Sequence, residues 1–269
     1  MSAGARKVAE FVLARPEDVA MLPAAQVAER LGVSVSTVIR FAILLGYGGY
    51  PEFRRDLQAE LRRHLAPLQR LELAKGSRHG ERASFKAFQH DIESILRTQR
   101  DLTLVDMENA VSLISNARTI RVVGLRSSYG VAHAFGYQLN QMLGNVSIFN
   151  TAHGESTEQL RGVGPQDLVL CVSFPRHPAA TVEAVRYARS RHAKIIAVTD
   201  GPMSPIAPEA DVLLTVNTSV VNVTTSMTSC MSLLNAISSE VLLTNRTRVS
   251  RNFAALEEAM AQAKVHFHD

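Results

Sequence analysis

Five short runs of β-forming residues, each followed by a stretch long enough for a helix, constrain the second half of this chain more than any other feature. They cover residues 120–123, 146–149, 168–172, 194–198 and 212–216. Strands that alternate with helix-length segments pair in parallel, because a crossover of a dozen or more residues must return the chain to the same edge. The expected architecture there is a parallel-sheet α/β sandwich with helices on both faces. Residues 1–75 show no strand-like alternation and read as a series of short helices. Between them, residues 75–82 hold no apolar side chain and form the best linker candidate. The expected division is therefore 1–75 as a helical domain, 76–105 as linker and connecting helix, 106–245 as the α/β domain, and 246–269 as a C-terminal helix and tail.

Charge gains meaning from this division. The whole chain of 269 residues has 29 Lys+Arg and 25 Asp+Glu, a net +4. Residues 1–75 carry 11 basic and 8 acidic side chains, so +3 of that excess falls on the helical segment. No run approaches the roughly 18 apolar residues of a membrane span, and Glu10 and Arg15 interrupt any signal-peptide core. Cys171 and Cys230 sit in apolar stretches without disulfide or zinc spacing, which suggests buried thiols in a reducing, cytoplasmic setting. Walker loops, dinucleotide fingerprints and nucleophile elbows are absent, and no metal or cofactor is expected.

The basic segment contains a helix, a turn and a second helix. Pro23 suits a first turn, Val27 and Leu31 form an apolar pair, Gly32 can take the positive φ that ends a helix, and Ser34 can cap the next. The apolar stripe of the second helix is expected at Val38, Phe41 (or Ala42) and Leu45, leaving Ser36, Thr37 and Arg40 on a common face. In a helix-turn-helix that face enters the major groove, where Arg40 can grip guanine and hydroxyls can reach bases or phosphates. An ordinary helical hairpin would show the same outline. A tight turn at 45–50 leads into another helix, with Arg54 and Arg55 near its start as phosphate-contact candidates. Ser34, Ser36, Thr37, Arg40, Arg54 and Arg55 are thus the expected DNA-facing residues.

The α/β half offers polar loops at the strand ends, where ligands of parallel sheets collect. Ser127 and Ser128 follow the first strand and precede a helix, whose N-terminus attracts anions; helix capping is the alternative role for both serines. After the third strand come Ser173, Arg176 and Thr181, where arginine can clamp an anion. Arg126, His153, Glu155, His177 and Glu240 are further candidates, the last four of these because an isomerase would need a proton-moving base.

The run Gly32-Val33-Ser34-x-x-Thr37-Val38-x-Arg40-Phe41, followed by Gly46-Tyr47-Gly48-Gly49-Tyr50-Pro51-Glu52-Phe53, resembles the N-terminal domain of RpiR-type transcriptional regulators. Gly124-x-x-x-Ser128, the segment 167–173, and Ala197-Val198-Thr199-Asp200 with Ser204-Pro205 resemble the SIS (sugar isomerase) domain. The resemblance implies a flavodoxin-like effector domain, a homodimer or homotetramer on a double-stranded operator, and a small carbohydrate effector, in a regulator rather than an enzyme; a phosphosugar isomerase fused to a DNA-binding domain is the alternative. Ser128 and Ser173 fall where that family places its ligand-binding serines, and Thr181 near its loop threonine. Two departures stand out. Arg126 occupies the family's second glycine, and the second loop is lengthened by Phe174-Pro175-Arg176-His177-Pro178.

Between the domains, Phe85, Phe88, Ile92, Ile95, Gln99 and Leu102 recur at steps of three and four. That spacing fits either a short coiled-coil seam or packing on the chain's own sheet.

Overall fold

A computed structural model describes residues 1–74, 83–150, 156–218, 220–221 and 224–263. The chain forms two compact units, Met1–His79 with Ser219–Thr225 and Gly80–Thr218 with Ser226–Asp269.

The first unit is helical: α1 (Ala3–Ala14), α2 (Pro16–Met21), α3 (Ala24–Leu31), α4 (Val35–Leu44), α5 (Tyr50–His64) and α6 (Pro67–Ala74). Its ends are set by local chemistry. Ser2 accepts the Ala5 N–H at 3.3 Å to start α1, and Pro16 opens α2. Gly32 ends α3 at φ 61°, a left-handed conformation that costs glycine least. Val8, Val19, Val27, Ala28, Val38, Phe41 and Phe53 form its core, and Phe53 meets Phe41 edge-on at 5.9 Å. Tyr50 satisfies its buried hydroxyl by donating to the carbonyls of Val19 and Leu22, at 3.0 and 2.9 Å. A two-stranded antiparallel ladder, Val220–Val221 with Thr224–Thr225, belongs to this unit although it comes from far along the chain. There Arg70 Nη1 donates to Thr225 Oγ1 at 3.4 Å.

The second unit begins with α7 (Ala83–Asp101) and α8 (Leu104–Asn116). A parallel sheet follows, made of β1 (Ile120–Val123), β2 (Val146–Ile148), β3 (Leu168–Val172), β4 (Lys194–Thr199) and β5 (Val212–Thr215). All five expected strands are present, in the order β2-β1-β3-β4-β5. Side chains alternate along each strand. Leu168, Leu170, Val172, Ile196 and Val198 face the core shared with α8, α9 (Tyr129–Leu143) and α12 (Thr228–Thr244). Val169, Cys171, Ile195 and Ala197 face the other layer, with α10 (Ser156–Leu160) and α11 (Ala179–Ser190). Cys171 and Cys230 are both buried but lie in different layers, and burial pushes the Cys230 thiol up to about 12. A last helix, α13 (Arg246–Gln262), packs on α9.

Helix α7 does not treat its 3,4-spaced residues alike. Ser94 and Thr98 face inward against α12, Asp91 accepts from Thr228 Oγ1 at 2.9 Å, and Asn217 donates its backbone N–H to Thr98 Oγ1 at 2.9 Å. Leu102 joins the sheet core. Phe85, Phe88 and Ile92 remain exposed at 64, 70 and 57%. The end of the helix thus packs on its own domain, as one sequence expectation had it, while its beginning leaves an apolar stripe exposed.

One polar group ties the strand starts together. Asp167 is buried and accepts from Arg118 Nε (3.0 Å) and Nη2 (2.6 Å), Thr119 Oγ1 (2.9 Å) and the Gly164 N–H (2.8 Å). Burial alone would raise this carboxyl, but the hydrogen bonds from Arg118, Thr119 and Gly164 outweigh it and hold it below the usual carboxylate range. A depressed acid stabilises the fold above its unfolded-state pKa, near 4, and that stability is lost as pH falls through the folded value. Asp167→Asn should therefore cost about 1–2 kcal/mol at pH 7, below the roughly 3–5 kcal/mol of a fully buried pair because Arg118 stays in contact with water. Melting curves at pH 7 and at pH below 4 should show the two proteins converging in acid.

Candidate functional sites

In the first unit the second helix of the α3-turn-α4 pair presents its outer face to solvent. Val38, Phe41 and Ala42 are buried, so the turn and the core decide which side remains free. Ser34 caps α4: its Oγ accepts the Thr37 N–H at 3.2 Å and lies 2.9 Å from Ser36 Oγ and 2.8 Å from Thr37 Oγ1. Ser36 and Arg40 are exposed. Thr37 is half-buried and turned toward α1, where a Cβ on Gly4 would come within 2.9 Å of its methyl group. The structure thus separates Thr37 from Ser36 and Arg40: its hydroxyl fastens the helix start, and its methyl packs. On α5, Arg55 is exposed. Arg54 is half-buried beside Tyr50 with its Nε left without a hydrogen-bond partner, a donor free for an anion.

In the second unit the strand order creates the site. The chain leaves β1 for β2 on one side and resumes with β3 on the other, so a crevice opens beyond the ends of β1 and β3. Both strands lead into helices, α9 and α11, whose first N–H groups face that end of the sheet. Gly124 allows α9 to approach β1, since a Cβ there would stand 2.5 Å from Ala132 Cβ. Arg126 adopts φ 55°, a left-handed conformation that suits glycine better, and its side chain is exposed. Ser127 is exposed and Ser128 buried. Ser128 heads α9 without using its side chain as a cap, which removes the capping alternative for that residue.

The loop after β3 is knit internally. Ser173 is fully buried, with Oγ 2.9 Å from His177 Nδ1, and His177 Nε2 lies 3.8 Å from Asp200 Oδ1 at the end of β4. Thr199 Oγ1 lies 3.0 Å from Asp200 Oδ1 and 2.9 Å from Ser204 Oγ. Ser-His-Asp order suggests a nucleophile relay, but here the Ser173 hydroxyl is enclosed and held by His177 within the loop. Thr181, in the first turn of α11, is completely buried and its Oγ1 has no partner. Buried hydroxyls are normally satisfied, so this one stands out as a candidate donor to a ligand oxygen. Arg176 is exposed on the same loop.

His153 and Glu155 lie outside the described residues. Glu240 is exposed on α12 and lines a cleft of about 440 Å³ with Met107, Glu108, Val111 and Ser115. Ser115 ends α8 just before the start of β1, so this cleft adjoins the opposite edge of the sheet from Ser128 and Ser173. That placement corrects the grouping of Glu240 with the strand-end residues: α12 runs antiparallel to the strands and carries its later turns away from their C-terminal ends. Asp200 was visible in the sequence only as a polar strand end. Its partnership with His177 follows from the adjacency of β3 and β4. Among the described residues no cluster of His, Cys, Asp and Glu could hold a metal, and no helix is long and apolar enough to cross a membrane.

Comparison with known proteins agrees with both halves. Residues 1–64 match the model of the helix-turn-helix domain, rpiR family, and residues 113–239 match that of the SIS domain. The "Bifunctional protein glk" of Burkholderia orbicola is 27% identical over 270 residues, covering 98% of this chain and 40% of that protein. The chain thus spans well under two thirds of that relative's length. The HTH-type transcriptional regulator HexR of Escherichia coli is 24% identical, covering 98% of this chain and 91% of HexR. The Vibrio vulnificus NanR protein, solved in complex with ManNAc-6P, shares the fold with a TM-score of 0.62 at 20% identity, covering 98% of this chain and 94% of that one. The chain thus joins a helix-turn-helix domain of the rpiR family to a SIS domain, and it is similar to regulators built in the same way.

Proposed function

We propose that this protein is a cytoplasmic transcriptional regulator whose affinity for a double-stranded operator is set by a sugar phosphate in the SIS domain. The observation that carries the ligand half is the buried, unpartnered Thr181 hydroxyl in the first turn of a helix that opens at the β1/β3 crevice. A phosphate or hydroxyl oxygen there accepts from Thr181, Ser128 and the helix N–H groups, while Arg126 and Arg176 supply charge from the rim. Both a likeness to a fold solved with ManNAc-6P and the polar lining support this ligand class. Binding rather than turnover is the role assigned. Of the candidate bases described here, His177 is engaged with Ser173 and Glu240 lies at the other edge of the sheet.

DNA is read by α4, with Arg40 on a guanine edge, Ser36 beside it, and Arg54 and Arg55 on phosphates. Two copies joined through the exposed Phe85, Phe88 and Ile92 stripe would bury that apolar surface and pair the readers on a two-fold operator. An effector that favours one arrangement by about 1–3 kcal/mol changes operator affinity roughly 5- to 150-fold.

Four measurements test these assignments. Arg40→Ala should weaken the selected operator by about 5- to 150-fold and relax preference at one guanine; unchanged gel-shift affinity would remove α4 from the interface. A panel of hexose and N-acetylhexosamine 6-phosphates should contain a compound that, at a hundred times its Kd, raises the melting temperature by about 5–11 °C. Thr181→Val should leave the free protein as stable or more so, since an unsatisfied hydroxyl is lost, yet weaken that compound about tenfold; an unaltered Kd would exclude Thr181 from the site. Finally, Phe88→Asp should halve the mass measured by light scattering, and an unchanged mass would place the contact elsewhere.

A further inference from the structure

The outer face of α4 carries two parallel ridges. One is polar, Ser36 and Arg40. The other is apolar: Val35, Ile39 and Ile43 recur every four residues and are 43, 38 and 53% exposed. These side chains contribute nothing to the core, which is formed by Val38, Phe41 and Ala42 on the other side. β-branched residues are also poor choices for a solvated helix surface, where they lose rotamer freedom and expose hydrocarbon to water. A ridge of this kind beside an unpaired arginine needs an apolar counterpart on a polar, anionic surface. The floor of the DNA major groove has one apolar group, the C5-methyl of thymine.

We infer that Val35 and Ile39 read thymine methyl groups next to the base that Arg40 reads. This rests on the assignment of α4 as the DNA-reading helix. The placement favours the two N-terminal members of the ridge, because the first turns of such a helix lie nearest the base edges. Ile43, with Leu44 and Leu45 at the far end, lies a turn or more further away. A guanine and thymines are then specified by one helix face, the first through charge-assisted hydrogen bonds and the second through methyl burial.

The test uses the full chain and the duplex it enriches from a random pool. Replacing single thymines by deoxyuridine removes the methyl group alone and keeps base pairing and the O4 acceptor. At one or two positions per half-site, affinity should fall roughly three- to fivefold, the value of one buried carbon. Ile39→Ala should weaken the thymine duplex similarly and bind the uracil duplex no worse, while keeping its salt dependence because phosphate contacts are untouched. Ile39→Val should keep most of the discrimination. Equal affinity for thymine and uracil at every position overturns the inference, as does an Ile39→Ala protein that still discriminates. A change in solution mass on Ile39→Ala with discrimination retained would assign the ridge to a second copy of the chain. If no duplex is enriched, the DNA-reading assignment falls too; if one is enriched but insensitive to methyl loss, only the present inference falls.

Discussion

The buried carboxylate of Asp167 is the contact on which the geometry of the second unit depends. It accepts hydrogen bonds from Arg118 and Thr119, immediately before β1, and from Gly164, in the turn before β3. Those two strands are adjacent in the sheet and separated by nearly fifty residues of chain. Parallel pairing at such a separation has no local turn to set its register. Asp167 supplies that register by accepting four hydrogen bonds from three residues at the strand starts. At the other end, the same alignment brings the Gly124–Ser128 loop and the Ser173–His177 loop to the two sides of one crevice. The candidate crevice is thus aligned from the opposite end of the strands by a buried carboxylate.

Strand identity was legible because short runs rich in β-forming residues recur between helix-length segments, although only β3 is buried at every position. Strand order was not legible, since it depends on pairings between distant segments that leave no periodic trace. Consequently Ser128 and Ser173 could be nominated separately, but the crevice they flank could not. Other features escaped for a similar reason. The pairing of 220–221 with 224–225 places a piece of late sequence in the first unit. Likewise, the burial of Ser94 and Thr98 on α7 reverses what a hydrophobic count would suggest. Thr37 shows the limit at finer scale, because helical spacing put it with Arg40 while the small Gly4 across the helix crossing drew it inward.

Arginine serves different ends in the two units, and net charge conceals this. Arg118 is structural, matched fork to fork with a carboxylate. Arg40 is exposed on the outer face of α4. Arg54 keeps a buried nitrogen without a partner beside Tyr50. A sum of +4 records none of these distinctions, whereas burial and pairing separate them residue by residue.

The SIS-domain loops show why the departures from the family pattern belong together. At Arg126 the backbone retains the left-handed turn that a glycine would adopt, so the loop shape survives and a charged side chain is added at the rim. After β3 the longer loop folds His177 back onto Ser173, using that serine's hydroxyl within the protein. A ligand that claims Ser173 must therefore displace His177, which then retains Asp200 as its neighbour. Thr181 carries no such internal competitor. If this crevice holds the proposed effector, it offers two kinds of buried donor: Thr181 at the head of α11, whose hydroxyl is bonded to nothing, and Ser173, which is released only when the loop rearranges. A ligand that engages both couples its binding to movement of the Phe174–His177 loop, and a ligand that engages Thr181 alone does not. Discrimination between chemically similar sugar phosphates can then arise from which of them reaches Ser173, without any change in the phosphate contacts they share.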